Sequence, residues 1–321
     1  MPLDLDGLRS LDLTPRLGEG GRFVVMSDCH RGDGSGGDEF ARNSLVYKCA
    51  LAHYLEAGFT YVELGDAEEL WENDSFDQIY ITHTSVYDLL GRFHDPDPAK
   101  TRYIKVFGNH DEDWREDPGP LRDLFPGIEV HEAVTLGPFV LLHGHQCDPA
   151  CTGLGARISR YLVRHLWSGL QRFGIGDPTR AAENPGRCDE IDAALHGAAR
   201  RSGKIVVAGH THRPVFANLS LTERRFLETG RATPGIRRKE GAEAVYFNAG
   251  SCVHPRSVTG IEIVFTGAAA CRLTLVKWGP VAGAEVCTAD GCRSYPLAVN
   301  RTPLEEIQIG DPATPSRPGN Q

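Results

Sequence analysis

Five short segments of the chain carry the residue types that hold divalent metal ions with oxygen and nitrogen ligands. These segments are Asp28-Cys29-His30, Gly65-Asp66, Gly108-Asn109-His110-Asp111, His143-Gly144-His145 and Gly209-His210-Thr211-His212. Carboxylate, amide and imidazole groups without a thiolate suit manganese, iron, zinc or cobalt. The segments predict a metal centre, with Mn²⁺ as the first choice and Fe or Zn as alternatives.

The number of candidate ligands indicates two ions rather than one. The candidates are Asp28, His30, Asp66, Asn109, His143, His210 and His212. We expect Asp66 to bridge two ions with its two carboxylate oxygens, which leaves room for water on both. Paired ions about 3.5–4 Å apart clamp the attacking and leaving oxygens of a phosphoryl transfer and lower the pKa of bound water. The residue types therefore predict metal-dependent chemistry on a phosphate.

Each segment follows a largely apolar run that contains β-branched residues: FVVM, YVEL, YIKVF, FVLL and IVVA. Such runs predict buried strands, and strands that end in ligand-bearing loops build a site at one edge of an α/β sheet. The first three runs alternate with helical patterns over about 38–57 and 75–93. This order predicts parallel strands with right-handed crossovers and an α/β fold class.

The remaining pattern divides the chain into one domain and a tail. We expect a domain over residues 22–280 that includes a helical insertion at about 149–200, before the strand that leads to His210. From about 280 onward Gly, Pro and small polar residues dominate. Residues 281–321 are therefore expected to form a tail that is extended over the surface or partly disordered.

Composition and charge disfavour several classes of protein. The chain has 321 residues and a formal net charge of −9, which disfavours a nucleic-acid platform over the whole surface. No run of about 18 apolar residues is present, and the mixed, acidic N-terminus does not resemble a secretory signal. We expect a cytoplasmic protein. The sequence leaves its oligomeric state open.

The ordered set of segments resembles the signature of the calcineurin-like metallophosphoesterases over about residues 23–278. The resemblance implies an α/β sandwich of two packed mixed sheets flanked by helices. It also implies a first ion on Asp28, His30, Asp66 and His212 and a second on Asp66, Asn109, His143 and His210. His110 would be an unligated catalytic residue that stabilises the phosphate or protonates the leaving oxygen. An acidic partner for His110 is implied, and either Glu69 or Asp111 could be that partner.

A closer resemblance is to the UDP-2,3-diacylglucosamine pyrophosphatases and their relatives. The shared features are Gly65-Asp66 followed by Glu69 and Trp71, the run Gly209-His-Thr-His-Arg-Pro214, and a helical insertion after His143. That branch typically has Arg where this chain has His110. The chain therefore resembles a sibling of the branch, and a lipid-linked nucleotide sugar is one alternative substrate.

The insertion and three residues beside the ligands bear on the substrate. Residues 157–173 carry four arginines among apolar residues at helical spacing. This pattern fits a helix packed on the core, a lid over a phosphorylated substrate, or a peripheral contact with an anionic membrane. Arg31 and Arg213 are candidates for substrate contacts, because a bidentate guanidinium matches phosphate oxygens. His145 is a further candidate because it is close to the site in sequence. Either arginine could equally form a structural ion pair.

The sequence thus predicts a two-metal hydrolase of a phosphomonoester, phosphodiester or pyrophosphate that uses metal-bound hydroxide. The alternatives are a UDP-2,3-diacylglucosamine-type lipid pyrophosphatase, a phosphoprotein phosphatase and a catalytically silent metal-binding interaction module. The expected substrate is a phosphorylated small molecule or a lipid-linked phosphate.

Overall fold

The computed structural model describes residues 2–17, 20–36, 38–73, 75–151, 185–217, 244–267, 270–288 and 291–310. Its strands are β1 Ser10–Asp12, β2 Arg22–Met26, β3 Thr60–Leu64, β4 Tyr103–Val106, β5 Val130–His131, β6 Ala133–Leu136, β7 Phe139–Leu142, β8 Ile205–Ala208, β9 Tyr246–Asn248, β10 Val258–Phe265, β11 Cys271–Thr288 and β12 Gly291–Ile309. Its α-helices are α1 Ser44–Glu56, α2 Phe76–Gly91, α3 Gly119–Leu124 and α4 Pro185–Ser202.

The strands form two mixed sheets. The seven-stranded sheet has the order β12-β11-β10-β2-β3-β4-β5, and the five-stranded sheet has the order β1-β6-β7-β8-β9. Strands β2 to β5 pair in parallel, as do β7, β8 and β9. The predicted α/β class and the predicted parallel pairing of the first three strands are confirmed.

Alternation along the strands explains how the layers stack. In β2, Phe23 and Val25 lie in an apolar core between the two sheets, whereas Val24 and Met26 lie in a second core. This second core lies between the large sheet and helices α1 and α2, and α4 covers the outer face of the small sheet. A strand that is covered on both faces needs apolar side chains on both. The continuous apolar runs in the sequence are the result.

The two predicted crossover helices are present. Helix α1 follows a single 3-10 turn at Ala41–Asn43, so it begins later than the sequence pattern indicates. Helix α2 begins after Ser75, whose side chain accepts the backbone N–H of Asp77 at 3.2 Å as an N-cap. These helices return the chain to the start of each next parallel strand.

The prediction of a tail over residues 281–321 is wrong for most of that range. Residues 281–288 continue β11 and residues 291–309 form β12, and the two strands pair antiparallel from Cys271↔Ile309 to Thr288↔Gly291. Strand β12 lies at the edge of the large sheet. Proline is tolerated in an edge strand because its missing N–H need not leave a ladder bond unmade. Residues 311–321 lie outside the described residues.

The predicted helical insertion is described only in its last part, which is α4. The basic stretch 157–173, with its alternatives of packed helix, lid or membrane contact, lies outside the described residues. Within the described ranges, no helix has both the length and the apolar character needed to cross a membrane.

Candidate metal centre

Backbone hydrogen bonds between the strand ends join four of the five ligand segments in two pairs. The N–H of Asp28 donates to Gly65 O at 3.1 Å, and the N–H of His30 donates to Asp66 O at 2.9 Å. In the small sheet, the N–H of Gly209 donates to His143 O at 2.9 Å. The loops therefore continue the pairing of the strands that precede them.

Asp28, His30 and His212 form the first group of candidate ligands, with one ligand atom from each within 4.8 Å of the others. His212 Nε2 lies 3.1 Å from both Asp28 Oδ1 and His30 Nε2. Burial opposes ionisation of Asp28, but the charge of His212 lowers the pKa of this carboxyl group to about 2. The carboxylate is therefore ionised and available to a cation.

Asp66, His143 and His210 form the second group, again with ligand atoms within 4.8 Å of one another. His143 Nδ1 lies 3.0 Å from Leu64 O, so this nitrogen carries the proton and Nε2 faces the centre. Asn109 lies beside this group, because the N–H of the next residue, His110, donates to Asp66 Oδ1 at 2.8 Å.

Asp66 lies between the two groups. Its Oδ2 is 3.1 Å from His143 Nε2 and 3.8 Å from His30 Nε2. Its Oδ1 is occupied by the N–H of His110. This position agrees with the prediction that Asp66 is shared by two ions. The structure does not favour the expectation that each carboxylate oxygen binds one ion, because Oδ2 alone faces both groups.

Three buried ligand atoms make no well-aligned hydrogen bond among the described residues: Asp28 Oδ1, Asn109 Oδ1 and His143 Nε2. Two of them lie close to another candidate ligand, since Asp28 Oδ1 is 3.1 Å from His212 Nε2 and His143 Nε2 is 3.1 Å from Asp66 Oδ2. A buried polar atom without a partner costs about 1–3 kcal/mol, and native proteins seldom tolerate several together. Asp28 Oδ1 and Asn109 Oδ1 can each donate an electron pair to an ion. Burial opposes the charge of His143 but Asp66 raises its pKa to about 9, so His143 Nε2 becomes a ligand when an ion displaces its proton. The three atoms belong to both groups. On this ground the seven candidate ligands fit a pair of divalent cations.

The backbone is strained at five of the seven candidate ligands. Their φ angles lie in the left-handed region: Asp28 at 55°, His30 at 48°, Asp66 at 49°, His210 at 66° and His212 at 55°. Among the described residues other than glycine, Arg256 alone shares this conformation. The left-handed region costs a non-glycine residue about 1–2 kcal/mol, and such strain clusters at functional sites. The fold therefore gives up stability to direct these side chains into one space.

Two glycines allow the close approach of the ligand loops. A Cβ atom on Gly65, whose φ is 83°, would lie 2.6 Å from the ring of His143. A Cβ atom on Gly108 would lie 2.6 Å from the backbone nitrogen of Asp66. Larger residues at these positions would separate the groups that meet at the centre.

Glu69 is the acidic partner of His110. Its Oε1 lies 2.6 Å from His110 Nδ1, and its Oε2 lies 2.7 Å from His30 Nδ1. Burial opposes ionisation of Glu69, but His110 holds the pKa of the carboxyl group well below its usual range. An ionised carboxylate only accepts, so both Nδ1 atoms are donors. Each ring therefore turns its Nε2 away from Glu69.

Asp111, the other candidate partner of His110, has a different role. Its carboxylate accepts the backbone N–H groups of Gly108 at 2.6 Å, Ala67 at 2.9 Å and Asp66 at 3.2 Å. These bonds join the loops after β3 and β4. Asp111 thus fixes the backbone that carries Asp66 and Asn109.

No protein-family model matches the chain, and no curated protein matches it significantly, so these comparisons assign the chain to no family.

Arg31 does not reach the centre, so the prediction that it contacts substrate is wrong. Its guanidinium is fully buried and donates to Glu63 Oε1 at 2.8 Å and Glu68 Oε1 at 2.5 Å. The bridge pairing of Arg31 with Glu68 continues the β2–β3 ladder. This pairing places the arginine near Tyr87 of α2, on the face that the helices cover.

Arg213 and His145 lie near candidate ligands, and their substrate contacts stay predictions. Arg213 forms an ion pair with Asp189 of α4 at 3.0 Å, one of the alternatives that its sequence position left open. The ring centroid of His145 lies 5.4 Å from that of His143. Burial and the charge of His143 lower the pKa of His145 well below its usual value, so its imidazole is neutral.

Asp148 is a functional candidate that the sequence patterns missed. Its buried Oδ2 lies 2.9 Å from His210 Nε2, which leaves Nδ1 as the nitrogen of His210 for an ion. Cys151 lies near the same carboxylate, but burial and Asp148 raise the pKa of its thiol, so it stays protonated. Arg187 already neutralises Asp148 at 2.6 Å. These facts argue against a separate ion on Asp148 and Cys151.

Proposed function

We propose that this protein is a phosphate-ester hydrolase that depends on two divalent metal ions, as the resemblance to calcineurin-like metallophosphoesterases implies. The observation that carries the proposal is the position of Asp66 Oδ2, within 4 Å of both His143 Nε2 and His30 Nε2. A carboxylate oxygen that faces two ligand groups is what a pair of ions with one shared ligand requires.

Asp28, His30, Asp66 and His212 would hold one ion, and Asp66, Asn109, His143 and His210 would hold the other. Divalent ions held there would neutralise phosphate charge and lower the pKa of bound water. Mn²⁺ is the expected metal, with Fe or Zn as alternatives. The protein contributes a dry, preorganised set of ligands, since six of the seven residues are buried.

His110 is proposed as the catalytic proton-transfer residue. Its Nδ1 donates to Glu69, and its ring stacks on Trp71 with 4.2 Å between centroids. These two contacts hold the imidazole in one orientation and direct Nε2 away from Glu69. An imidazole held in this way can hydrogen-bond to a phosphate oxygen or protonate the leaving oxygen.

The central test measures metal content and hydrolysis on the same protein. The full chain is stripped with chelator, reloaded with Mn²⁺, Zn²⁺ or Fe²⁺, and assayed on aryl phosphates, aryl phosphodiesters, nucleotides and a lipid-linked nucleotide sugar. We expect two ions per chain and metal-dependent turnover of at least one substrate class. Two tightly bound ions without any turnover would instead indicate a metal-binding interaction module.

His110→Ala separates catalysis from metal binding. The variant should keep two ions and lose about 10²- to 10⁴-fold in kcat, which is the usual contribution of a positioned acid or base. The loss should be greatest for substrates with poor leaving groups, because these need the proton most. His94→Ala is the matched control, since His94 bonds to the carbonyl of Pro126 outside the centre. Loss of an ion from His110→Ala would show that His110 is a ligand.

A further inference from the structure

Asp148 links a candidate metal ligand to the start of a helix. Its carboxylate follows the 3-10 turn His145–Cys147 after β7 and accepts from His210 Nε2 at 2.9 Å. On its other side it accepts from Arg187 of α4: Nε lies 3.0 Å from Oδ1, and a terminal nitrogen lies 2.6 Å from each oxygen. One buried carboxylate thus joins β7, α4 and the loop after β8.

The hydrogen bonds from Arg187 fix the orientation of the Asp148 carboxylate. Two nitrogens of one guanidinium donate to it, and such charge-assisted pairs with several hydrogen bonds are both stronger and more directional than single ones. Asp148 cannot rotate without breaking these bonds. The same carboxylate accepts from His210. Arg187 therefore fixes the ring of His210 indirectly, through Asp148.

We propose that Arg187 is a positioning residue for the metal ion at His210, and that it couples this ion to the N-terminal turn of α4. The proposal rests on the proposed metal centre. A carboxylate that accepts from a histidine ligand fixes the ring and makes it a better donor to the metal. Arg187 holds that carboxylate in place, so ion binding at His210 and order at the start of α4 favour one another. Such coupling is reciprocal.

The coupling predicts a loss of affinity confined to one ion. Arg187→Met should weaken the binding of one Mn²⁺ about 10- to 100-fold, the usual effect of altering an outer-shell partner, and leave the other near its wild-type value. Arg187→Lys should fall between Met and wild type, because an ammonium cannot bond both carboxylate oxygens with a planar fork. Asp148→Asn should match Arg187→Met or exceed it.

The experiment is a chelator competition for Mn²⁺ with the full chain, which reports two dissociation constants without any assay of turnover. Arg200→Met is the matched control, because Arg200 is an exposed arginine on the same helix. Hydrogen exchange gives a second readout: Mn²⁺ should slow amide exchange in the first turn of α4 in the wild type but not in Asp148→Asn.

The outcomes distinguish this proposal from the proposed function. Wild-type dissociation constants for both ions in Arg187→Met would overturn the coupling while leaving the metal centre intact. An equal weakening of both ions would also overturn it, since that result indicates general destabilisation. A wild type that binds no ion would overturn the metal centre itself, and with it the proposed function.

Discussion

Two clusters of buried charge lie side by side at the ends of β2, β3 and β4, and they differ in completeness. The first is an ion-pair network of Arg31, Glu63, Glu68 and Lys105, all fully buried. Each carboxylate oxygen in it contacts Arg31 or Lys105 at 2.5–2.9 Å. The second is the candidate metal centre, where Asp28 Oδ1, Asn109 Oδ1 and His143 Nε2 are buried without a well-aligned hydrogen bond among the described residues.

The contrast extends to the backbone. None of the four residues of the ion-pair network has a positive φ angle, whereas five of the seven candidate ligands do. The network has two cations for two carboxylates, and Tyr103, Tyr87 and Trp114 donate further hydrogen bonds to them. Of its side-chain nitrogen and oxygen atoms, Arg31 Nε alone is buried without a hydrogen-bond partner among the described residues, so the network is nearly complete. The candidate metal centre contains no arginine or lysine, and histidines are the residues there that can carry positive charge. This difference fits the proposal that divalent cations occupy the centre.

The largest expected effect is stabilisation of the centre by metal. A ligand that binds only the folded state adds RT ln(1 + [L]/Kd), or about 2.7 kcal/mol for each ion at 100 times its Kd. Mn²⁺ should therefore raise the free energy of unfolding measured in urea. Asp66→Asn should lose most of this increment, because both ion groups share the carboxylate. Asp97→Asn, at an exposed ion pair with Lys100, should keep it. A full increment in Asp66→Asn would remove Asp66 from the centre.

The next effect tests the ion-pair network without metal. Lys105→Met leaves Glu63 and Glu68 buried with Arg31 as their remaining cation, and breaking a buried pair costs about 3–5 kcal/mol. Urea unfolding in the presence of chelator measures this loss. Lys100→Met is the control, because its ion pair with Asp97 is largely exposed and such pairs contribute little. Equal stability of the two variants would mean that the buried ion pairs of Lys105 do not stabilise the fold.

Local patterns in the sequence were enough to propose the candidate ligands but not the residues that support them. Asp28, Asp66, His143 and His210 follow apolar runs, and the ends of parallel strands meet at one edge. Arg187 and Asp148 lie 39 residues apart and meet only through the packing of α4, so no local pattern relates them. Arg31 looked like a substrate residue beside His30, but its direction depends on carboxylates from β3 and the loop after it.

Sequence patterns also did not predict the C-terminal strands or the strained backbone, each for a different reason. Strand β12 has Pro296 and Pro303 within it, and only its position at a sheet edge makes these residues acceptable. The left-handed angles at Asp28 and His212 occur at residue types that adopt this region more often than most, but too rarely for residue type alone to predict it. Strain of this kind is imposed by tertiary structure.

The smallest expected effect measures that strain directly. His212→Gly and His212→Ala remove the same imidazole and differ mainly in their tolerance of the left-handed region, where φ is 55°. In chelator, the Gly variant should be about 1 kcal/mol more stable than the Ala variant. At Lys48 in the interior of α1 the order should reverse, since Gly costs about 1 kcal/mol relative to Ala in a helix. If Gly were the less stable residue at both positions, the backbone at His212 would be relaxed. The contrast between a strained metal centre and a relaxed ion-pair network would then rest on unpaired ligand atoms alone.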